Sequence, residues 1–286
     1  MDQTKTAINQ DKWFHLMTDD EGTIELNKLD GLIIDEISRT HPNGTTQTLD
    51  IETTDGEIPQ FTTYGTYDLS VTSLFRGIDK RDVDLFVFKL NNILSRRQPY
   101  YIRHSDLPNI KWQVKPTPKI ESSKVGRQDV AITITFECNK GFSESYNTTL
   151  KMDLINGGSQ FGGGNVFDNE VKYTHDVRNF DIYNGGADTL DPYLGHYINI
   201  KISADAPEGI TIRNNTTGDE LIYRDPLTPK ETIVIDGVYV TKDRKNMGRV
   251  TNFEYLRLKK GYNSISIYGD KYNEPHSEWD FNYLYR

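Results

Sequence analysis

Tyr67-Asp-Leu69-Ser-Val71 runs through Leu74-Phe75-Arg76-Gly77 into a helical stretch, Asp82 to Arg97. Tyr100-Tyr101-Ile102, Ile110-Lys-Trp112-Gln-Val114 and Val130 to Cys138 follow it. The last of these runs is the clearest. Val130, Ile132, Ile134 and Phe136 fall on one face, and Thr133, Thr135 and Glu137 on the other. Such alternation marks a half-buried strand. At about 100° per residue, Val83, Phe86, Val87, Leu90, Ile93 and Leu94 share one side of a helix. This predicts a single helix over 82–97, laid on a sheet. Asp79 or Asp82 is placed to cap its start, and Pro99 prevents its continuation. Leu85 and Phe88 fall on the opposite side, between Asp84, Asn92 and Ser95. Either another loop of the same domain covers them, or they form a second packing surface used by a neighbouring subunit. They are the candidate interface residues.

Composition sets the limits around this segment. A chain of 286 residues holds one large domain or two ordinary ones. Hydrophobic residues make up only 35%, but 17 Tyr and 12 Phe supply much of the apolar area. The net charge of −9 argues against general binding to nucleic acid or anionic membrane, both of which need a basic patch. Arg96-Arg97 and Lys242 to Lys245 are too short to change this and read as solvated surface. Cys138 is the only cysteine, which leaves no internal disulfide; a buried, inert thiol is expected. Met1 to Lys12 is polar, with no apolar signal region, and no apolar run approaches the roughly 20 residues that span a bilayer. Synthesis and folding in a reducing cytosol are expected.

Residues 1–23, polar apart from Trp13-Phe14, read as a partly ordered arm. Ile24-Glu-Leu26, Leu32-Ile33-Ile34 and Leu49-Asp-Ile51-Glu read as strands, with turns at Pro42-Asn43-Gly44 and Asp55-Gly56. A small β-barrel or split barrel carrying one helix is expected over residues 1–145. Tyr146 to Leu154 reads as one more extended piece. The Gly-rich run Asn156 to Asn165 reads as a connector or mobile loop. It lacks the Lys-Ser/Thr of a phosphate-binding loop and the spacing of a dinucleotide fingerprint. A linker over 146–165 is expected, with the domain boundary between 140 and 165.

From residue 166 only strands and turns appear. Strand candidates include Phe180-Asp-Ile182, Ile198 to Ile202, Ile210-Thr-Ile212, Thr232 to Ile235, Tyr255 to Leu258, Ser264 to Ile267 and Trp279 to Tyr285. Turn signals such as Pro207-Glu-Gly209, Thr217-Gly218-Asp219 and Asp236-Gly237 separate them. This predicts a β-sandwich of jelly-roll or galectin type over 166–286. Trp279, Phe281, Tyr283 and Tyr285 alternate on one face. Core burial explains them; a sugar-stacking platform of Trp279, Tyr283 and Tyr285 is the functional alternative.

Catalytic chemistry finds no support in the sequence. His15, His41, His104, His175, His196 and His276 show no metal-ligand spacing on a helix, and a lone cysteine removes thiolate zinc sites. His104-Ser105-Asp106 has the letters of a triad, but triads are assembled in space rather than along an extended chain. Asp82 and Asp84 suit the start of a helix without any catalytic role. No catalytic residue, metal or cofactor is expected.

The chain resembles the distal tail proteins of long-tailed phages that infect Gram-positive bacteria. The resemblance is carried by Leu74-Phe75-Arg76-Gly77 before a single helix, then Pro99-Tyr100-Tyr101 and Ile134-Thr-Phe136-Glu-Cys138. In the second half it rests on Phe180-Asp-Ile182-Tyr-Asn184-Gly185-Gly186, Ile210-Thr-Ile212-Arg-Asn214, Thr217-Gly218, Ile233 to Asp236, and Leu258-Lys-Lys-Gly261-Tyr-Asn263-Ser-Ile265. It spans nearly everything from about residue 20. It implies a split-barrel domain that assembles into a hexameric ring, and a galectin-like sandwich that projects from it. It also implies a place in the virion tail, where the ring joins the tail tube protein to the tail-tip protein and in many phages anchors the receptor-binding apparatus. No cofactor or reaction is implied, nor any membrane or sequence-specific nucleic-acid partner. The acidic balance suits a ring through which DNA passes without sticking. The competing readings are a carbohydrate-binding adhesin that uses the C-terminal sandwich and, more remotely, a wall-degrading enzyme. A fold of this kind licenses neither by itself.

Overall fold

The computed structural model describes residues 12–51, 55–126, 129–152 and 171–286. The chain divides into two compact units, Met1–Ser143 with Arg286, and Glu144–Tyr285.

In the first unit the strands are β1 (Phe14–Thr18), β2 (Gly22–Glu25), β3 (Leu32–Arg39), β4 (Gly44–Asp50), β5 (Glu57–Tyr64) and β6 (Tyr67–Arg76). After the helix α1 (Lys80–Leu94) come β7 (Tyr100–His104), β8 (Ile110–Val114), β9 (Lys119–Lys124) and β10 (Asp129–Cys138). An antiparallel sheet runs β2-β1-β7-β8-β10-β6-β3, with β9 also on β10. β10 pairs with β6 along its whole length. Its other edge is shared: β8 takes Cys138 and β9 takes Val130 to Thr135. One long strand therefore serves two neighbours on the same side, which folds the sheet back on itself. The alternating residues meet inside. Phe14, Leu69, Val71, Trp112, Ile134 and Phe136 are all fully buried. Cys138 lies there too, and burial pushes its thiol up to about 12, so it stays protonated and unreactive.

Phe86, Leu90 and Leu94 are the buried face of α1, as the periodicity requires. Phe86 stacks on Phe75 at 4.0 Å between ring centroids, and Tyr100 donates its hydroxyl to the carbonyl of Leu94. Of the two cap candidates, Asp79 is the cap: its carboxylate accepts the Asp82 N–H at 2.9 Å. Asp82 returns the favour by accepting the Ile78 N–H at 3.0 Å. Asp79→Ala is expected to cost the first unit about 1 kcal/mol in chemical denaturation, as loss of an N-cap usually does. Asp79→Asn should restore most of it.

Several expectations need correction. Of the partly ordered arm expected over residues 1–23, residues 12–23 are described, and they are part of the sheet. Phe14 and Leu16 are fully buried, and β1 lies between β2 and β7. Leu26 belongs to a short 3-10 turn rather than a strand. Arg96 is not solvated surface. Its guanidinium makes a two-pronged pair with Glu21 at 2.8 Å and donates to the Ile93 carbonyl, tying the β1–β2 turn to the end of α1. Pro42-Asn43-Gly44 does not close a tight hairpin. β3 leaves it to pair with β6, while β4 starts a separate two-stranded ribbon with β5.

A short strand, β11 (Ser143–Ser145), falls at the division between the units. The second unit holds β12 (Thr174–His175), β13 (Asn179–Asn184), β14 (Ile198–Asp205), β15 (Ile210–Asn214), β16 (Glu220–Tyr223), β17 (Ile233–Asp236), β18 (Tyr239–Lys242), β19 (Lys245–Asn246), β20 (Gly261–Tyr268), β21 (Asn273–Phe281) and β22 (Leu284–Tyr285). They form two antiparallel sheets, β12-β21-β14-β17-β18-β19 and β13-β20-β15-β16. Ile200, Ile202, Ile235 and Trp279 of the first and Ile182, Ile212, Ile265 and Ile267 of the second are buried. Phe180 of β13 meets Trp279 of β21 edge to face at 5.9 Å, which joins the layers as a sandwich.

Three buried asparagines explain the recurrent motifs of this unit. Asn184, Asn214 and Asn263 are each fully buried. Asn214 donates to the carbonyl of Arg257 and to the Asn263 side chain, Asn263 holds both N–H and C=O of Lys259, and Asn184 donates to the carbonyl of Leu258. Tyr255 to Leu258, expected as a strand, is instead an irregular segment with one bridge, Leu190 to Leu258. Asparagine side chains take the hydrogen bonds a ladder would have taken. Of the expected linker 146–165, residues 146–152 are described. Thr149 begins a 3-10 turn there rather than an extended piece, and its hydroxyl donates to the Trp279 carbonyl. The Gly-rich run lies outside the described residues.

Candidate functional site

The first unit presents two unusual surfaces. One is the outer side of α1. Leu85 is 59% and Phe88 65% exposed, so no loop among the described residues covers them. Arg81 and Lys89 share that side by helical spacing. Ile78 and Val125 are exposed nearby in sequence to α1 and β9, and a groove of about 360 Å³ lies between those two elements. Ile78, Lys80, Val83, Lys124 and Val130 are among its walls.

The other surface is the β4–β5 ribbon. Every residue of both strands is exposed. It nevertheless carries Leu49, Ile58, Phe61 and Tyr64, with Leu49 directly opposite Ile58. Thr46 and Thr62 share a hydrogen bond of 2.9 Å across the pair. Toward the tip Asp50 faces Glu57, two like charges on opposite strands. Residues 44–64 contain four acidic residues and no Lys or Arg. A lone two-stranded ribbon is marginally stable in water, and opposed like charges weaken it further. Turn signals are legible here but β5 is not, because a strand exposed on both faces has no reason to alternate.

Catalytic geometry is not present among the described residues. His104 is buried, and neither ring nitrogen has a hydrogen-bond partner; Ser105 donates to Asp106 instead. His196 accepts the Asp191 N–H and His276 pairs with Asp176, so both serve the local backbone and surface. No cluster of three or more His, Cys, Asp or Glu is suited to a metal among these residues. No described helix is long and apolar enough to cross a membrane.

The proposed sugar-stacking trio is not presented to solvent. Trp279 is fully buried and its indole N–H donates to Ser277. Tyr283 is buried with its hydroxyl against that of Tyr173, which in turn donates to the Tyr183 carbonyl. Only Tyr285 is partly exposed. The strand itself stops at Phe281 and resumes at Leu284, so the four aromatics do not form one continuous face.

Residues 8–138 match the family described as the phage tail protein RIFT-related domain. No curated protein matches the sequence. The Dit protein (gp 19.1) of phage SPP1, known from a crystal structure, is described as a paradigm of the hub adsorption apparatus in phages that infect Gram-positive bacteria. It aligns at 13% identity over 96% of this chain and 99% of that one, with a TM-score of 0.64. A chain of the phage P2 baseplate, in its activated conformation with Ca, aligns at 12% identity over 95% and 98%, with a TM-score of 0.47. At 13% identity the SPP1 likeness establishes a shared fold across both units. Residues 8–138 therefore carry a phage tail protein RIFT-related domain, and the chain shares the fold of the SPP1 Dit protein across both of its units.

Proposed function

We propose that this chain is the hub of the tail tip, assembling head to tail into a closed, hexameric ring that joins the tail tube to the tail-tip protein and the receptor-binding apparatus. The observation that carries the reading is the self-complementarity of the first unit. An apolar ribbon with an acidic tip occurs on the same molecule as an apolar helix side that carries Arg81 and Lys89 beside Asp84, next to a groove of mixed charge lined by Lys80, Lys124, Asp79, Asp84 and Asp129. Two different surfaces that fit each other make a heterologous contact, which closes into a ring when the rotation permits. The ribbon is the element that gains most. Burial of Leu49, Ile58 and Phe61 is worth about 1.5–3 kcal/mol each, against the entropy lost on association. Lys80, Arg81, Lys89 and Lys124 would relieve the Asp50–Glu57 repulsion. The likeness to the SPP1 Dit protein, described as a paradigm of the hub adsorption apparatus, supports the same role.

Native mass spectrometry of the full chain across a range of concentrations tests this. Wild type is expected to give a ring mass. Leu49→Ser/Phe61→Ser and Leu85→Ser/Phe88→Ser should each leave a folded monomer. If the second pair leaves the assembled mass unchanged, Leu85 and Phe88 are not at the interface. A chain that is monomeric at every concentration, and missing from the tip in images of the particle, overturns the ring itself.

A further inference from the structure

The outer face of the larger sheet in the second unit carries a row that no expectation anticipated. The register sets Asp280 of β21 beside Asn199 of β14, Asn199 beside Asp236 of β17, and Asp236 beside Tyr239 of β18. Their side chains share the face opposite the buried Ile200, Ile235 and Trp279, because successive strand residues point to opposite sides. Tyr197, two residues before Asn199, belongs to the same side and donates its hydroxyl to Asp280 at 3.1 Å. Asp280 is held from its other oxygen by the Leu150 N–H at 3.4 Å. Tyr239 is 64% exposed at the far end of the row.

We propose that this row is a binding site for a neutral saccharide. Between the two tyrosines, the Asn199 amide and the Asp236 carboxylate have no hydrogen-bond partner among the described residues. An amide offers both donor and acceptor, and a carboxylate accepts from two hydroxyls. A pyranose ring presents that combination on its edge and an apolar C–H face to an aromatic ring. A protein partner would favour a core depleted of charge, which this row is not. Electrostatics select among polymers: Asp236 and Asp280 repel a polyanion, and the nearby Lys201 is already paired with Glu278 at 3.3 Å. The site therefore takes a neutral glycan and not a phosphate-linked one. It lies in a different unit from the ring surfaces.

The test titrates the full chain with maltotriose, with the trisaccharide of N-acetylglucosamine and with polyglycerol phosphate, followed by calorimetry. Saturable binding of a neutral trisaccharide is expected, with Kd on the order of 1 mM. Asp236→Ala and Tyr239→Ala should each weaken it by about tenfold or more without changing the melting transition; Asn199→Ala provides a third variant should either fail to fold. No saturable binding of either trisaccharide, equal binding by the variants, or preference for polyglycerol phosphate overturns the proposal.

Discussion

Gly209→Ala is expected to destabilise the second unit by on the order of 4 kcal/mol, lowering its melting transition by about 10 °C. The turn Pro207-Glu-Gly209 is closed by the Gly209 N–H donating to the Ala206 carbonyl, and Ala206 bridges to Leu227. Gly209 has φ +84°, in the left-handed region. That alone costs an alanine about 1–2 kcal/mol. The larger effect is steric. A Cβ there would stand 2.1 Å from the carbonyl oxygen of Tyr223 and 3.0 Å from Cα of Arg224. Both are backbone atoms at the end of β16, so no rotamer change relieves the contact. The β15–β16 pair must separate, and it holds the fully buried Ile212 and the buried Tyr223. Gly218→Ala is the control. Gly218 has nearly the same φ, +83°, but nothing lies within 4 Å of its Cβ position. It should lose only the conformational part, about 1 kcal/mol. Equal melting shifts for the two variants would mean that the close approach at Gly209 relaxes freely.

The same two glycines show where the sequence stops being legible. Pro207-Glu-Gly209 and Thr217-Gly218-Asp219 carry equivalent turn signals, and both are turns. Which of them has a backbone pressed against it depends on a strand pairing formed elsewhere. The helix and β10 were readable because burial on one side forces a period of 3.6 or 2 into the residues. β1 was not, because Phe14 and Leu16 are only two apolar positions among polar neighbours. The β4–β5 ribbon was readable only at its turns, since every residue of both strands is exposed. For the site, Leu85 and Phe88 were legible as residues on the wrong side of a helix, and their exposure agrees. Trp279 and Tyr283 were legible as core from their alternation, and both are buried in the sandwich, which leaves the sugar-stacking alternative without its platform. The row Asp280–Asn199–Asp236–Tyr239 is absent from any local pattern. It comes from the register of four strands contributed by residues from 199 to 280.

Acid should weaken the first unit through His104, by about 3 kcal/mol between pH 6.5 and pH 4. The imidazole is only 4% exposed. It stacks on Trp112 at 4.7 Å and lies parallel to Phe14 at 6.4 Å, with both nitrogens unpartnered. Burial lowers its pKa to about 4; Asp106 opposes this, while Arg39 and Lys12 add to it. The neutral ring is therefore the form that folds. As pH falls below 6.5 the unfolded chain takes up a proton that the folded chain refuses, and stability declines until about pH 4, where both states are protonated. Glu21, Asp129 and Glu137 are carboxylates held below their usual range by Arg96, Arg76 and Lys115, so their stabilisation is lost only at lower pH. His15 and His175, also lowered by partial burial, act in the same direction as His104, which makes a paired comparison necessary. His104→Phe keeps the ring stack and removes both orphaned nitrogens. Urea unfolding at pH 7 should find this variant at least as stable as wild type, because an unpartnered buried polar group has gone. At pH 4 the variant should exceed wild type by about 3 kcal/mol more than it does at pH 7. Parallel loss of stability in the two proteins between those pH values would show that His104 is solvated or paired in the folded state, contrary to the packing between Phe14 and Trp112.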